Sequence, residues 1–197
     1  MTKDIEQNFN KAESLIIQTA LKSGKIPAIA VDVYFGIMEK VQNSKPWDAT
    51  ELSLVLRMID NTMYYGVYSA TVEATKHRLI NMMSEELSEQ EEFGIEYIDG
   101  FFTKDEHELI VAVLSSLMID IADVDKYRKL ISFIKGNEEL PDESSALLNM
   151  AIEKTNFSGT AIERVYKLML KLRVDKISEN VLKGKQSIGR PRKGLNK

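Results

Sequence analysis

One pattern of apolar residues occurs four times in the chain, and its spacing restricts the fold to packed helices. Each copy opens with an apolar lead residue, which is followed by apolar pairs at offsets of seven and eight and of eleven and twelve. Positions three, four or seven residues apart lie on one face of an α-helix. The repeat therefore predicts an amphipathic helix at the start of each copy. The lead residues are Phe9, Trp47, Phe102 and Leu140, and the pairs are Ile16-Ile17, Ala20-Leu21, Leu54-Val55, Met58-Ile59, Leu109-Ile110, Val113-Leu114, Leu147-Leu148 and Ala151-Ile152.

A second apolar stripe follows in every copy, so each copy corresponds to two helices joined by a short connection. Copies one, three and four match without gaps, whereas copy two matches only after an insertion of four residues. We predict an all-α fold of about eight helices, arranged as four tandem helical hairpins in a bundle or a short solenoid. The stripes contain Val31, Tyr34, Ile37, Met38 and Val41; Leu79, Ile80 and Met83; Val124, Tyr127, Leu130, Ile131 and Ile134; and Ile162, Val165, Leu168, Met169 and Leu172.

Polar residues that start helices stand directly after the lead residues and support the same register. In three copies an Asn, Asp or Thr is followed three positions later by Glu, which is the capping-box pattern. In the fourth copy Pro141 is followed by two acids, a combination typical of a first helical turn. The three predicted capping boxes are Asn10 with Glu13, Asp48 with Glu51, and Thr103 with Glu106.

An acidic stretch interrupts the repeat between the second and third copies. Residues 84–101 contain seven acids and no base, followed by apolar residues and two glycines. This stretch is either a linker that packs back on the helices or a segment that binds a protein partner through Glu91, Glu92, Phe93 and Tyr97. The predicted division of the chain is an N-terminal pair of hairpins in 1–83, an acidic linker in 84–101, a C-terminal pair of hairpins in 102–182 and a basic tail in 183–197.

The composition argues against an enzyme, a metal centre or a membrane span. The chain has no cysteine, which excludes disulfides and cysteine zinc sites and fits a cytoplasmic location. No apolar run approaches the ~20 residues that span a bilayer. His107 lacks the partner spacing of a metal site. His77 has Glu73 four residues before it, but two ligands make an incomplete site, so we expect both histidines to be solvated. No glycine-rich phosphate loop or nucleophile elbow occurs, and we predict no catalytic residue, cofactor or metal.

The charges are divided unevenly between the helical region and the C-terminus. The full chain has a net charge of −4, yet residues 183–197 carry six basic residues and no acid. Residues 1–182 therefore carry −10. An acidic body with a basic end indicates that this end binds a polyanion or an acidic surface. We predict that 183–197 is a disordered tail. If it does not bind DNA, this tail aids solubility or contacts an acidic partner.

The tail contains Gly189-Arg190-Pro191 followed by Arg192 and Lys193, and this sequence resembles the core of an AT-hook. The resemblance implies an extended backbone in the minor groove of A·T-rich double-stranded DNA, with flanking basic residues on phosphates. A narrow A·T groove has a strong negative potential that attracts arginine. The implied DNA-binding residues are Lys183, Lys185, Gly189, Arg190, Pro191, Arg192 and Lys193.

The helical body is similar in composition and in its short helix-start motifs to helical-hairpin proteins of bacteriophages. Together these features lead to two hypotheses. In the first, the chain is a non-enzymatic, DNA-associated accessory or regulatory protein whose body binds a protein partner or forms a homo-oligomer. In the second, it is an adaptor, or an inhibitor of a host factor, with no nucleic-acid role.

Overall fold

A computed structural model describes residues 9–43, 45–64, 69–86, 94–155, 157 and 161–172. Within these ranges the fold is all-α, with eight helices and one short two-stranded sheet. The helices are α1 (Lys11–Ser23), α2 (Val31–Asn43), α3 (Ala49–Asp60), α4 (Ser69–Glu86), α5 (Lys104–Ser116), α6 (Val124–Gly136), α7 (Asp142–Lys154) and α8 (161–172); the strands are β1 (Lys25–Pro27) and β2 (Met118–Asp120), and 3-10 turns span Ala28–Ala30 and Ile121–Asp123.

The predicted capping boxes start α1, α3 and α5. At α1, Asn10 Oδ1 accepts from the Glu13 backbone N–H at 2.9 Å, and Glu13 Oε2 accepts from the Asn10 N–H at 2.8 Å. The same reciprocal pairs form at Asp48 and Thr103. Each box satisfies backbone donors that have no partner within the helix. Helix α7 begins after Pro141 without a side-chain cap.

The apolar pattern of the sequence is the core of the structure. The lead residues and pairs of the four copies are buried, except that Trp47 and Leu147 are half-buried. The stripes of α2 and α6 are also buried, with Met38 half-buried. Two features were not predicted: the strands β1 and β2, and the 3-10 turns that lead from them into α2 and α6.

The first and third copies are equivalent at an offset of 93 residues. Helix α1, β1, the first 3-10 turn and α2 have the same lengths as α5, β2, the second turn and α6. Strands β1 and β2 pair antiparallel, with Ile26 opposite Ile119 and Lys25 opposite Asp120. Since Ile26 and Ile119 are themselves equivalent, this contact has local two-fold pseudosymmetry centred on them.

The second copy needs no insertion, which corrects the alignment of α4. Buried residues in α4 are Val72, Thr75 and Leu79, and 93 residues later come the buried Val165, Leu168 and Leu172 of α8. Ile80, which the inserted alignment placed on the stripe, is 46% exposed. The alignment failed because Thr75 is polar and its hydroxyl instead donates to the Thr71 carbonyl at 2.7 Å.

The chain forms two compact units that divide between Glu139 and Leu140. In the first unit α1, α3 and α4 contact one another, α2 contacts α3 and α6, and α5 contacts the first 3-10 turn. The second unit contains α7 and α8. The DNA-binding residues predicted in 183–197, and the prediction that this tail is disordered, lie outside the described residues.

Candidate interaction surfaces

Of the four predicted partner-binding residues, only Tyr97 lies within the described chain; Glu91, Glu92 and Phe93 lie outside it. Tyr97 is half-buried, and its hydroxyl donates to Asp99 Oδ1 at 3.0 Å. Its ring packs edge-on against His107, with the centroids 5.4 Å apart. The visible part of the linker therefore folds back on α5 through Tyr97.

His107 is buried, and the expectation of a solvated side chain is wrong for this residue. Only 2% of it is exposed, and its Nε2 has no hydrogen-bond partner among the described residues. Burial lowers its pKa below the ordinary value, against a hydrogen bond with the Ile134 backbone and the nearby charge of Glu108. His107 is thus held as a neutral packing residue. His77, in contrast, is exposed as expected.

Asn137 fastens the end of the linker to the end of α6, and sequence reasoning did not find it. Its Nδ2 donates to the carbonyls of Ile98 at 2.6 Å and Phe102 at 2.9 Å, and its Oδ1 accepts from the Phe102 N–H at 2.7 Å. The residue has a left-handed backbone with φ of 46°. Asn after a helix end is a known signal for that conformation. A Cβ on Gly100 would lie 2.3 Å from the Asn137 carbonyl oxygen, so glycine is required there.

Two buried carboxylates connect the helices of the first and second copies. Glu51 is 5% exposed, and its Oε2 accepts from Lys40 Nζ at 2.6 Å. Glu13 is 6% exposed and accepts from Arg78 Nη1 at 3.1 Å. Burial opposes the charge of Lys40, but its hydrogen bonds with Glu51 and Asp48 outweigh that effect and raise its pKa. Because both acids also complete capping boxes, each stabilises a helix start as well as an ion pair between helices.

A groove of about 450 Å³ lies along α2 beside α6. At its edge Lys135 Nζ donates to Asp32 Oδ2 at 2.5 Å, and the Arg128 guanidinium lies 4.1 Å from the centre of the Phe35 ring. Both interactions hold α2 and α6 together, and they engage Asp32 and Arg128 within the protein. The groove is lined by Asp32, Phe35, Gly36, Met38, Glu39, Gln42 and Arg128.

Four large apolar side chains of the second unit are exposed on α7 and α8. They are exposed by 50% at Met150, 56% at Ile162, 63% at Tyr166 and 43% at Leu170. The periodicity of the sequence had placed Ile162 on the buried stripe of α8, and this assignment is corrected. The buried stripe of α8 is narrower than the sequence predicted, because Val165, Leu168 and Leu172 already form the buried face.

No protein-family model, curated protein or solved structure matches this chain. Among the described residues, no three acids or histidines converge in a way that could bind a metal ion. In the same part of the chain, every helix is too short or too polar to cross a bilayer.

Proposed function

We propose that the protein is a non-enzymatic, DNA-associated accessory or regulatory protein. Its helical body binds partners or a second copy, and its basic C-terminus contacts A·T-rich double-stranded DNA. The charge division carries this proposal, since residues 183–197 carry six basic residues, one of them within a Gly-Arg-Pro core and five around it, while residues 1–182 carry −10. A body of that charge repels the phosphate backbone, so DNA contact depends on the C-terminal residues.

The polar chemistry of the body agrees with a scaffold. Its buried acids Glu13 and Glu51 are engaged in capping boxes and ion pairs, and Asp32 at the groove is paired with Lys135.

The proposed DNA contact should depend on salt. Basic residues that contact phosphate release counterions, so affinity for DNA falls steeply as the salt concentration rises. Arginine in a narrow minor groove adds a preference for A·T-rich sequence.

The test compares Arg190→Ala/Arg192→Ala with the unchanged protein in fluorescence anisotropy on A·T-rich and G·C-rich duplexes. We expect the double variant to lose at least tenfold in affinity for the A·T duplex at low salt and to have a shallower salt slope. Lys22→Ala/Lys129→Ala is the matched control, because it also removes two positive charges, here from side chains that are exposed, but leaves the C-terminus intact. Equal binding by the tail variant, or an equal loss in the control, would refute the assignment to Arg190 and Arg192.

A protein-interaction adaptor or host-factor inhibitor is the second candidate. Ile98 favours it, because this apolar side chain is 47% exposed between the exposed acids Glu96 and Asp99. In this hypothesis the acidic linker binds a basic and apolar partner surface. Ile98→Ser should then abolish capture of a purified partner, whereas Arg190→Ala/Arg192→Ala should leave it intact; the opposite pattern argues against the adaptor.

A further inference from the structure

Helix α8 presents a regular apolar ridge to solvent. Ile162, Tyr166 and Leu170 are exposed by 56%, 63% and 43%, and they follow one another at four-residue spacing. Residues at this spacing form one ridge along the helix surface. The buried face of the same helix is a separate set, Val165, Leu168 and Leu172. The ridge is therefore additional to what the fold needs.

The equivalent helix in the first half shows what the ridge replaces. At the offset of 93 residues, Ile162, Tyr166 and Leu170 correspond to Ser69, Glu73 and His77 of α4, and all three of these are exposed. The buried positions of the two helices correspond one to one. Since both helices share the buried pattern and differ at the exposed one, the apolar ridge is specific to α8.

Met150 on α7 is also an exposed apolar residue that stands where the first half has a charged one. Its counterpart 93 residues earlier is Arg57, which is also exposed. All four large exposed apolar side chains found among the described residues of the second unit thus replace polar or charged residues of the first half. Exposed apolar surface concentrated in this way marks an interaction site.

We propose that α8 is the contact between two copies of this chain, which pair antiparallel about a two-fold axis at Tyr166. A two-fold interface must be self-complementary, because the same patch faces itself in reverse order. The ridge meets this condition: Tyr166 lies opposite Tyr166 of the second copy, and Ile162 lies opposite Leu170. Ridges at four-residue spacing on both helices interdigitate in the commonest class of helix packing.

The charges beside the ridge are also self-complementary. Glu163 Oε1 lies 2.7 Å from Lys167 Nζ within one helix, and these two residues border the ridge on one side. In the antiparallel pair, Glu163 of each copy lies within about two residues of Lys167 of the other, so the ion pair can form between copies instead. Reversing the helix direction therefore brings opposite charges together.

The available area sets the expected strength. The exposed parts of the three side chains amount to on the order of 300 Å² per copy, because an aromatic residue alone presents roughly 150–250 Å². With its polar rim, the contact buries roughly 1,000–1,200 Å² in total, at the lower limit for a specific interface. The dimer should accordingly dissociate in the micromolar range, about 1–100 µM.

The first experiment measures mass in solution by sedimentation equilibrium of the full chain, without DNA. The monomer has a mass of 22.4 kDa, and we expect twice that mass as the concentration rises through the micromolar range. Ile162→Ser/Tyr166→Glu/Leu170→His grafts the α4 residues and should weaken dimerisation at least tenfold. Leu15→Glu is the matched control, because Leu15 is also 50% exposed and its counterpart in the second half is Glu108. A monomeric unchanged protein, or a dimer that the grafted variant retains, overturns the proposal.

A second variant tests the axis even if the grafted protein folds poorly. The chain has no cysteine, so Tyr166→Cys introduces a single thiol at the proposed axis. A disulfide needs its Cβ atoms about 3.8 Å apart, and of all residues the one at a two-fold axis comes nearest to its own counterpart. Mild oxidation should link Tyr166→Cys rapidly and Leu15→Cys slowly; equal rates contradict the axis.

The proposed pairing does not depend on DNA binding, and the two proposals fail separately. If the unchanged protein remains a monomer at every concentration but still binds DNA, only the α8 contact is rejected. A dimer that binds no DNA would reject only the function of the C-terminus. If both hold, the dimer joins two DNA-binding segments, and the grafted α8 variant should bind a duplex with two A·T tracts more weakly than the unchanged protein does.

Discussion

The two halves of the chain share their buried residues and differ in their polar ones. At the offset of 93 residues, Val72, Thr75 and Leu79 of the first half match Val165, Leu168 and Leu172 of the second in burial. The ion pair between Lys40 and Glu51, however, corresponds to Phe133 and Ser144. The solvated face of α4 corresponds to the apolar ridge of α8. Helix packing thus fixes one set of positions and leaves the other free to acquire separate roles.

The largest expected effect tests whether two equivalent core residues, one from each half, contribute equally to the free energy of unfolding. Ile26 is fully buried, Ile119 is 5% exposed, and the two lie opposite each other at the centre of the β1–β2 pair. Ile26→Ala and Ile119→Ala should each lower the free energy of unfolding by about 2–4 kcal/mol, through lost burial and the cavity that remains. Urea denaturation followed by circular dichroism measures this loss.

The double variant and a control complete this test. Because the two isoleucines are partners, their double variant should deviate from additivity by about 0.5–3 kcal/mol. The control is Met118→Ala, next to Ile119 on β2. It removes a side chain that is 36% exposed and should change the free energy of unfolding by less than about 1 kcal/mol. If Ile26→Ala were costly and Ile119→Ala neutral, the local two-fold symmetry would have no energetic meaning.

A smaller effect on stability is expected when an ion-paired residue of the first half is replaced by its counterpart from the second half. Glu51→Ser removes the buried acceptor of Lys40 Nζ and of the Asp48 backbone N–H. Glu51 is the buried group, and the loss of these two hydrogen bonds to its carboxylate should cost about 1–3 kcal/mol in chemical denaturation. Lys40 then keeps its ion pair with Asp48 at 3.0 Å but has lost its buried acceptor. Lys40→Phe in the same chain removes this cation and should recover part of the loss.

The control for that pair is Asp123→Asn. Its ion pair with Lys126 lies at 2.8 Å on the protein surface, and surface pairs contribute little. No measurable change in stability is expected there. A loss at Asp123 as large as that at Glu51 would show that the burial of Glu51 does not matter.

The smallest effect depends on pH and concerns His107. Burial lowers its pKa in the folded protein, so the unfolded chain takes up the proton at a higher pH. Stability should therefore fall as the pH drops below the ordinary histidine value of about 6.5, and level off once the folded form is protonated too. His107→Phe should reduce this dependence in thermal melts between pH 7 and 5. His77→Gln, at an exposed site, should leave it unchanged; a pH dependence that survives His107→Phe must come from other groups.

The helices could be predicted from the sequence because their signals are local. A 3.6-residue period defines a face, and a capping box such as Asp48 with Glu51 marks a helix start within three positions. The alignment of α4 failed at Thr75, a polar residue that is buried with its hydroxyl bonded to the Thr71 carbonyl one turn earlier. The strands were missed since three residues have no period of their own, and β1 exists only by pairing with a segment 93 residues away.

The surfaces were harder to predict, and for a different reason. His107 is buried with its ring against Tyr97 and with a hydrogen bond to the Ile134 backbone, and a helical pattern around Asp105 and Glu108 cannot reveal either contact. The ridge of α8 was hidden because Ile162 continues the apolar period of its helix. Comparison with Ser69 in the equivalent helix could have separated the exposed apolar residues from the buried ones.

The pairing of β1 with β2 also sets the order in which the first unit can assemble. Lys25 and Asp120 are 95 positions apart, so bringing them together closes a loop with an entropy penalty of ~4 kcal/mol from the length-dependent contribution alone. The hairpins on either side involve only near neighbours in sequence. We expect the local helices to form early and the contacts between the first and third copies to form late, which makes the association of β1 with β2 and of α2 with α6 the slow step of folding.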